Sequence, residues 1–138
     1  MKNLLIIIGL AVLFLVGSVW WSKGLQKNNP DIVSRNGLHW HPELTIYIKG
    51  EKIEIPQNIG IGAIHLPIHT HDDLPLIHLE FQGLVRKDDI TLGQFFKNWG
   101  KEIQSFGPNV KMTVDGVENI ELENYVMQDK DKIELRFE

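Results

Sequence analysis

The pattern of apolar and polar residues changes sharply after residue 21. Residues 4–21 hold no charged side chain and are nearly all apolar, whereas later residues mix apolar and polar positions. A stretch of this length can cross a bilayer as one helix, and Trp20 and Trp21 at its end suit the interface. We therefore predict a transmembrane anchor over residues 1–21, a polar linker over 22–37 and a folded domain over 38–138.

A cleaved secretory signal is the alternative interpretation of the apolar segment. No small-x-small cleavage site follows it, and the absence of cysteine excludes a lipoprotein anchor. Lysines lie on both sides of the segment, so the positive-inside rule gives no clear orientation. Because a lone N-terminal anchor usually exports the domain behind it, we expect a single-pass protein of the cell membrane with its C-terminal domain outside the cytoplasm.

Alternating apolar and polar residues predict short strands in the domain. The predicted strands are residues 43–48, 52–55, 76–81, 110–114, 117–122 and 133–137. Lys49-Gly50-Glu51 and Asp115-Gly116 have the composition of hairpin turns. The final strand would have one buried and one solvated face.

One amphipathic helix is predicted between these strands. Thr91 and Gln94 have the spacing of a capping box, and Gly100 would end the helix. Its large apolar residues fall on one helical face: Leu92, Phe95, Phe96 and Trp99. This stripe indicates core packing. The order of the elements predicts an α+β fold, a mostly antiparallel β domain with a β-grasp-like sheet.

Charge and cysteine content narrow the functional classes. The formal net charge is −4, with no basic stripe that could meet phosphates, which argues against a nucleic-acid partner. The expected partners are the membrane, through the N-terminal helix, and another membrane protein. The absence of cysteine agrees with an oxidising compartment.

All six histidines lie between His39 and His78. Four of them form two His-x-His pairs, His39 with His41 and His69 with His71. In a strand, residues two apart point to the same face, so each pair can lean onto one ion. Two such pairs brought together by the fold would supply four nitrogen ligands.

Neighbouring residues extend the predicted site. Asp72 would be a ligand or would orient a ring through its second N–H. His78 lies in an alternating run with Glu80 on the same face, so it would join from an adjacent strand as a fifth imidazole. His65 precedes His69 by four residues across a proline, and its direction stays open.

The predicted metal site therefore comprises His39, His41, His69, His71, His78 and Asp72. Nitrogen and oxygen donors suit a divalent transition metal, zinc or copper first and nickel next.

The motif set resembles a group of small exported or membrane-anchored bacterial and archaeal proteins with no assigned activity. The likeness covers residues 37–100 and includes His-Trp-His, His-Thr-His-Asp and Thr-Leu-Gly-Gln-Phe-Phe-Lys-Asn-Trp-Gly. It implies that the histidines and the short helix form one unit, and it implies no reaction. His39 to Gly50 also resembles a first cupin motif, but Glu43 follows His41 too closely and Thr45 stands near the expected glutamate position.

Three functions stay open at this point. The first is an extracytoplasmic module that binds, buffers or delivers a divalent metal. The second is a metal-dependent enzyme, with metal-activated water or cupin-like chemistry and Asp72, Glu80 or a spare histidine as base. The third is an interaction module whose histidines sense pH.

Overall fold

The chain forms two units, Met1–Pro30 and Asp31–Glu138, which we call the N-terminal helix unit and the body. The computed structural model describes residues 1–27 and 29–138, with backbone alone for Leu5 and residues 25–27. Helix α1 spans Lys2–Lys27. It therefore continues beyond the predicted anchor into the predicted linker, and Asn28 of that linker lies outside the described residues.

Helix α1 is apolar over most of its length. Its segment Lys2–Gly24 is long and apolar enough to cross a membrane, and the side chains described within it are exposed. A signal sequence close to an N-terminus has the same properties. The described helix is thus a candidate membrane span.

The body is built from short strands and one α-helix. The described strands are β1 (Ile32–Ser34), β2 (Leu38–Trp40), β3 (Glu43–Ile48), β4 (Glu51–Ile53), β5 (Ile68–His69), β6 (His78–Phe81), β7 (Val85–Arg86), β8 (Val110–Val114), β9 (Val117–Asn119) and β10 (Lys132–Phe137). Helix α2 spans Leu92–Trp99, and 3-10 helices cover Lys87–Ile90, Ile103–Phe106 and Leu122–Asn124. The α+β class predicted from the sequence is confirmed.

Five strands form the larger sheet in the order β4-β3-β10-β8-β9. The first and last of them in the chain, β3 and β10, are parallel neighbours, and every other pair is antiparallel. Two hairpins flanking a central parallel pair are the arrangement of a β-grasp sheet. The turns occur where the sequence predicted them, with positive φ at Lys49, Gly50, Asp115 and Gly116.

The core of the body lies between the larger sheet and helix α2. On β10, Ile133, Leu135 and Phe137 are buried and join one apolar cluster with Phe95 and Phe96 of the helix. At about 25 cal/mol per Å², burial of such side chains is the main stabilising contribution. The alternation along β10 therefore fixes which face of the sheet meets the helix.

Both ends of helix α2 follow from single residues. The Thr91 hydroxyl accepts a hydrogen bond from the Gln94 backbone N–H at 3.2 Å, and Gly100 ends the helix in the left-handed region at φ 70°. The reciprocal half of the predicted capping box does not form, since the Gln94 side chain donates to Asn98 Oδ1 instead.

A second, three-stranded sheet has the order β2-β6-β5 and is antiparallel throughout. Backbone hydrogen bonds join it to the larger sheet, from the Leu44 N–H to the Pro75 carbonyl and from the Ile77 N–H to the Pro42 carbonyl. Helix α2 holds it from another direction, because Asn98 Nδ2 donates to the Ile68 carbonyl at 2.9 Å. These bonds set the position of the small sheet against the core.

The segment before the small sheet also belongs to the body. Strand β1 pairs with β7, and Lys87 N–H donates to the Asp31 carbonyl. Residues 31–37 of the predicted linker are therefore part of the folded unit.

Candidate metal centre

The register of the small sheet brings the histidines together. His39 on β2 lies opposite Glu80 on β6, and His69 on β5 lies opposite His78 on β6. His78 and Glu80 are two residues apart on the central strand, so they point to the same face. Three segments that are distant in sequence therefore present imidazoles on one face, which we call the histidine face.

His41 and His71 extend this face beyond the paired residues. The His41 backbone N–H donates to Asp129 Oδ1 at 2.9 Å. Thr70, fully buried between the second pair of histidines, donates its hydroxyl to the Pro56 carbonyl and accepts from the Ile59 N–H. Side chains that are not ligands thus hold both His-x-His segments in place.

A glycine is required where the loop passes behind β5. A Cβ on Gly60 would lie 2.5 Å from the Ile68 carbonyl oxygen, and the glycine φ is +73°. Both the space and the backbone conformation therefore exclude other residues. Gly60 lets the loop carrying Ile59 approach the His69–His71 segment.

All six imidazoles form one continuous cluster. Ring centroids are 4.7 Å apart for His39 and His41, and 4.8 Å apart for each of the pairs His41–His78, His78–His71 and His71–His69. His65 lies beside His69 with centroids 4.2 Å apart. Each neutral imidazole carries one nitrogen lone pair, so the cluster places several possible ligand atoms close together.

Three groups on this face could hold a metal ion, each with its ligand atoms within 4.8 Å of one another. They are His39 with His41 and His78, His65 with His69 and His71, and His69 with His78 and Glu80. Two atoms bound to one ion at about 2.1 Å lie at most about 4.2 Å apart. Rotation of the exposed rings would bring their ligand atoms within this distance.

His69 is the most buried of the six, with 1% of its surface exposed. Its Nδ1 lies 3.0 Å from the Leu66 carbonyl oxygen, so this nitrogen carries the proton and donates. The buried Nε2 then presents a lone pair, which finds no hydrogen-bond partner among the described residues. A metal-binding histidine has this same arrangement, one nitrogen held by a carbonyl and the other free.

Burial also affects the protonation of His69. Desolvation lowers the pKa of His69, since the charged ring loses water, and the hydrogen bond to the Leu66 carbonyl opposes this in part. Positive charge on His65 would lower the pKa further. The ring is therefore kept in the neutral form that a metal requires.

In His78 the two ring nitrogens exchange roles: Nε2 is hydrogen-bonded and Nδ1 is not. It is 8% exposed, and its Nε2 lies 3.1 Å from both carboxylate oxygens of Asp73. This leaves the buried Nδ1 unpaired within the described part of the chain. The Glu80 Oε1 atom is 3.8 Å from Nδ1, which is too far for a hydrogen bond. The hydrogen bond from His78 to Asp73 lowers the pKa of the Asp73 carboxyl.

The outer part of the histidine face is open to solvent. The side chains of His39 and Glu80 are 64% and 42% exposed, and His39 Nε2 lies 3.1 Å from Glu80 Oε1. A shallow cleft beside this pair is lined by residues that include His65, His69 and Phe81. An ion on this face would be held from below by buried rings and reached from above.

The structure brings the five predicted histidine ligands together. Asp72 is exposed and belongs to none of the three groups found among the described residues, while the next residue, Asp73, contacts His78. Its predicted role as a ligand or orienting group stays a prediction.

Two residues outside the predicted ligand set lie within these groups. His65, whose direction the sequence left open, packs on His69, and Glu80 completes the third group. For Glu80 the signal was present in the sequence, since it follows His78 by two residues in an alternating strand. For Asp73 and Thr70 the sequence offered no such spacing.

No family model matches this chain, and neither the curated proteins nor the solved structures contain a significant match.

Proposed function

We propose that this chain is a membrane-anchored, extracytoplasmic protein that binds a divalent transition-metal ion on its histidine face and buffers or delivers it. Helix α1 supplies the anchor in this proposal, and the body carries the metal.

One observation carries the proposal: two imidazole nitrogens, His69 Nε2 and His78 Nδ1, are buried on the same face and have no hydrogen-bond partner among the described residues. A buried polar atom without a partner costs about 1–3 kcal/mol. Proteins keep such atoms where a ligand satisfies them. A metal ion would satisfy both, and the partners of the opposite nitrogens already fix the tautomers that it needs.

The donor set favours Zn(II), Cu(II) or Ni(II). Imidazoles and a carboxylate suit these ions, whereas Cu(I) prefers sulfur. The chain has no cysteine. Met112 and Met127 are fully buried members of the apolar core.

Exposure of the outer ligands favours exchange over permanent structural binding. A structural zinc site is closed by four protein ligands, whereas His39 and Glu80 here face solvent. A partner protein could therefore take an ion from this face by ligand exchange.

A metal-dependent enzyme is the second candidate, and the position of Glu80 favours it. Its carboxylate lies among the imidazoles and beside the open cleft, where it could accept a proton from metal-activated water. Hydrolysis of a small ester by the metal-loaded chain that is lost in Glu80→Gln, with metal content unchanged, would favour catalysis over delivery.

The proposal is tested by measuring the metal content of the full chain. The protein is purified in detergent without a chelator or an affinity tag, and reloaded with Zn(II) or Cu(II) before mass spectrometry. We expect bound metal with submicromolar affinity, lost when His69 and His78 are both replaced by leucine. Glu118→Ala, an exposed change on β9, is the control. No retained metal after reloading would refute the proposal.

A further inference from the structure

The geometry points to two metal ions rather than one, held side by side by two separate histidine triads. This inference rests on the proposed metal-binding function and adds its stoichiometry. The first triad is His39, His41 and His78, and the second is His65, His69 and His71. The two share no residue, so neither would take a ligand from the other.

The two triads have the same internal design. Each contains one buried histidine, His78 in the first and His69 in the second. In each case one ring nitrogen is hydrogen-bonded, to Asp73 or to the Leu66 carbonyl, and the other is buried and unpaired within the described residues. Two ions, one in each triad, would each meet one of these prepared ligands.

The remaining ligands of each triad are more exposed and adjustable. His41 and His71 are partly buried, while His39 and His65 are exposed. Their rings lie within 4.2–4.8 Å of a neighbour in the same triad. Each triad therefore combines one fixed ligand with two that can close around an ion, which is three nitrogen ligands and an open position.

Glu80 lies between the two triads. It is 3.1 Å from His39 Nε2 and 3.8 Å from His78 Nδ1 in the first triad, and it groups with His69 of the second. The buried rings of His69 and His78 are themselves stacked, with centroids 5.4 Å apart. A carboxylate at this place can bridge two divalent ions and offset part of their mutual repulsion.

The competing arrangement is one ion at the centre, held by His69, His78 and Glu80. It would use both unpaired nitrogens, but it would leave His39, His41, His65 and His71 without a metal role. Substitution of the outer histidines distinguishes the two arrangements, because His41 and His71 belong only to the triads.

The experiment is a Co(II) titration of the full chain in detergent, freed of metal and without an affinity tag. Absorbance of bound cobalt gives the endpoint, and mass spectrometry after gel filtration gives the retained ions per chain. His41→Ala and His71→Ala are tested alone and together, with Glu118→Ala as the surface control. Circular dichroism verifies that each variant is folded.

Two ions per wild-type chain, one in each single variant and none in the double variant would support the inference. One ion in the wild-type chain, kept in both single variants, would overturn it in favour of the central site and leave the proposed function intact. No bound ion in the wild-type chain would overturn both. The wild-type endpoint alone decides the matter if a variant does not fold.

Discussion

The two sheets of the body use the same strand geometry for opposite purposes. In the larger sheet, the inward residues of the central strand β10 are apolar, and Ile133, Leu135 and Phe137 complete a dry core. In the small sheet, one face of β6 carries His78 and Glu80, and its neighbours add further imidazoles. Ile68 and Leu79 of the small sheet also join the apolar core, so the histidine face alone of this sheet presents polar atoms.

The difference between the two sheets shows how a stable core can support a sheet whose buried polar atoms lower the stability of the fold. The small sheet contains two buried nitrogens without partners in the described chain, which is unfavourable by itself. The small sheet is held in place by the Asn98 side chain of helix α2 and by backbone hydrogen bonds at the start of β3. The ligands are thus prepared before an ion arrives, at a stability cost that the core offsets.

The largest effect should follow from damage to the larger sheet. Leu135 is fully buried at the centre of β10, and Leu135→Ala should lower the free energy of unfolding by about 2–5 kcal/mol through lost burial and a cavity. Urea denaturation of the metal-free chain would measure this. Arg136→Ala, an exposed neighbour on the same strand, removes only surface contacts with Glu134 and Tyr47 and should cost much less. Equal losses in the two variants would contradict the assignment of the core.

Replacement of a buried histidine, unlike that of Leu135, should not lower the stability of the metal-free chain. His78→Leu removes the unpaired Nδ1 and leaves the exposed Asp73 to solvent. We expect the metal-free variant to be about as stable as the wild type or slightly more so. Each ion bound at about 100 times its dissociation constant should stabilise the wild type by about 2.7 kcal/mol, and the variant, which lacks one prepared ligand, should be stabilised less. Thermal unfolding with and without Zn(II) would show this, and equal stabilisation of both chains would contradict it.

The two neighbouring aspartates should differ in their effect on the metal. Asp73→Asn weakens the hydrogen bond that orients His78, and it should reduce metal affinity about 10- to 100-fold. Asp72→Asn is the matched control in the adjacent position. Competition with a chromophoric chelator would give both affinities. A larger loss in Asp72→Asn would restore Asp72 as the orienting or ligating residue.

The smallest effect concerns the pH dependence of the metal-free body. Burial lowers the pKa of His69, so the unfolded chain binds its proton at a higher pH than the folded chain does. Stability should therefore fall as the pH drops below the ordinary histidine value of about 6.5. The contact with His78 lowers the pKa of Asp73, which adds a loss at more acid pH.

Thermal unfolding from about pH 7.5 to 5 would measure this slope after chelator treatment. His69→Leu should flatten it, and Glu118→Ala should leave it unchanged. A wild-type stability that rises toward pH 5 would contradict the burial of a neutral His69.

The sequence by itself determined the local elements of this protein. Helix α2 begins after Thr91 and ends at Gly100 as predicted, and the turns at Gly50 and Asp115-Gly116 follow from residues that tolerate positive φ. The β-grasp order followed from the succession of hairpins and helix. The helix and the turns depend on neighbours within a few positions, so alternation and turn composition suffice to predict them, whereas the parallel pairing of β3 with β10 joins strands far apart in the chain.

The composition of the histidine face was decided only by the tertiary structure. Spacing predicted that each His-x-His pair shares a face, but the register of β2 and β5 on β6 determined that the pairs converge. Cross-strand contacts also placed Glu80 and His65 in the cluster and chose Asp73 over Asp72 for the contact with His78. These outcomes depend on packing between segments far apart in the chain, which no local pattern encodes.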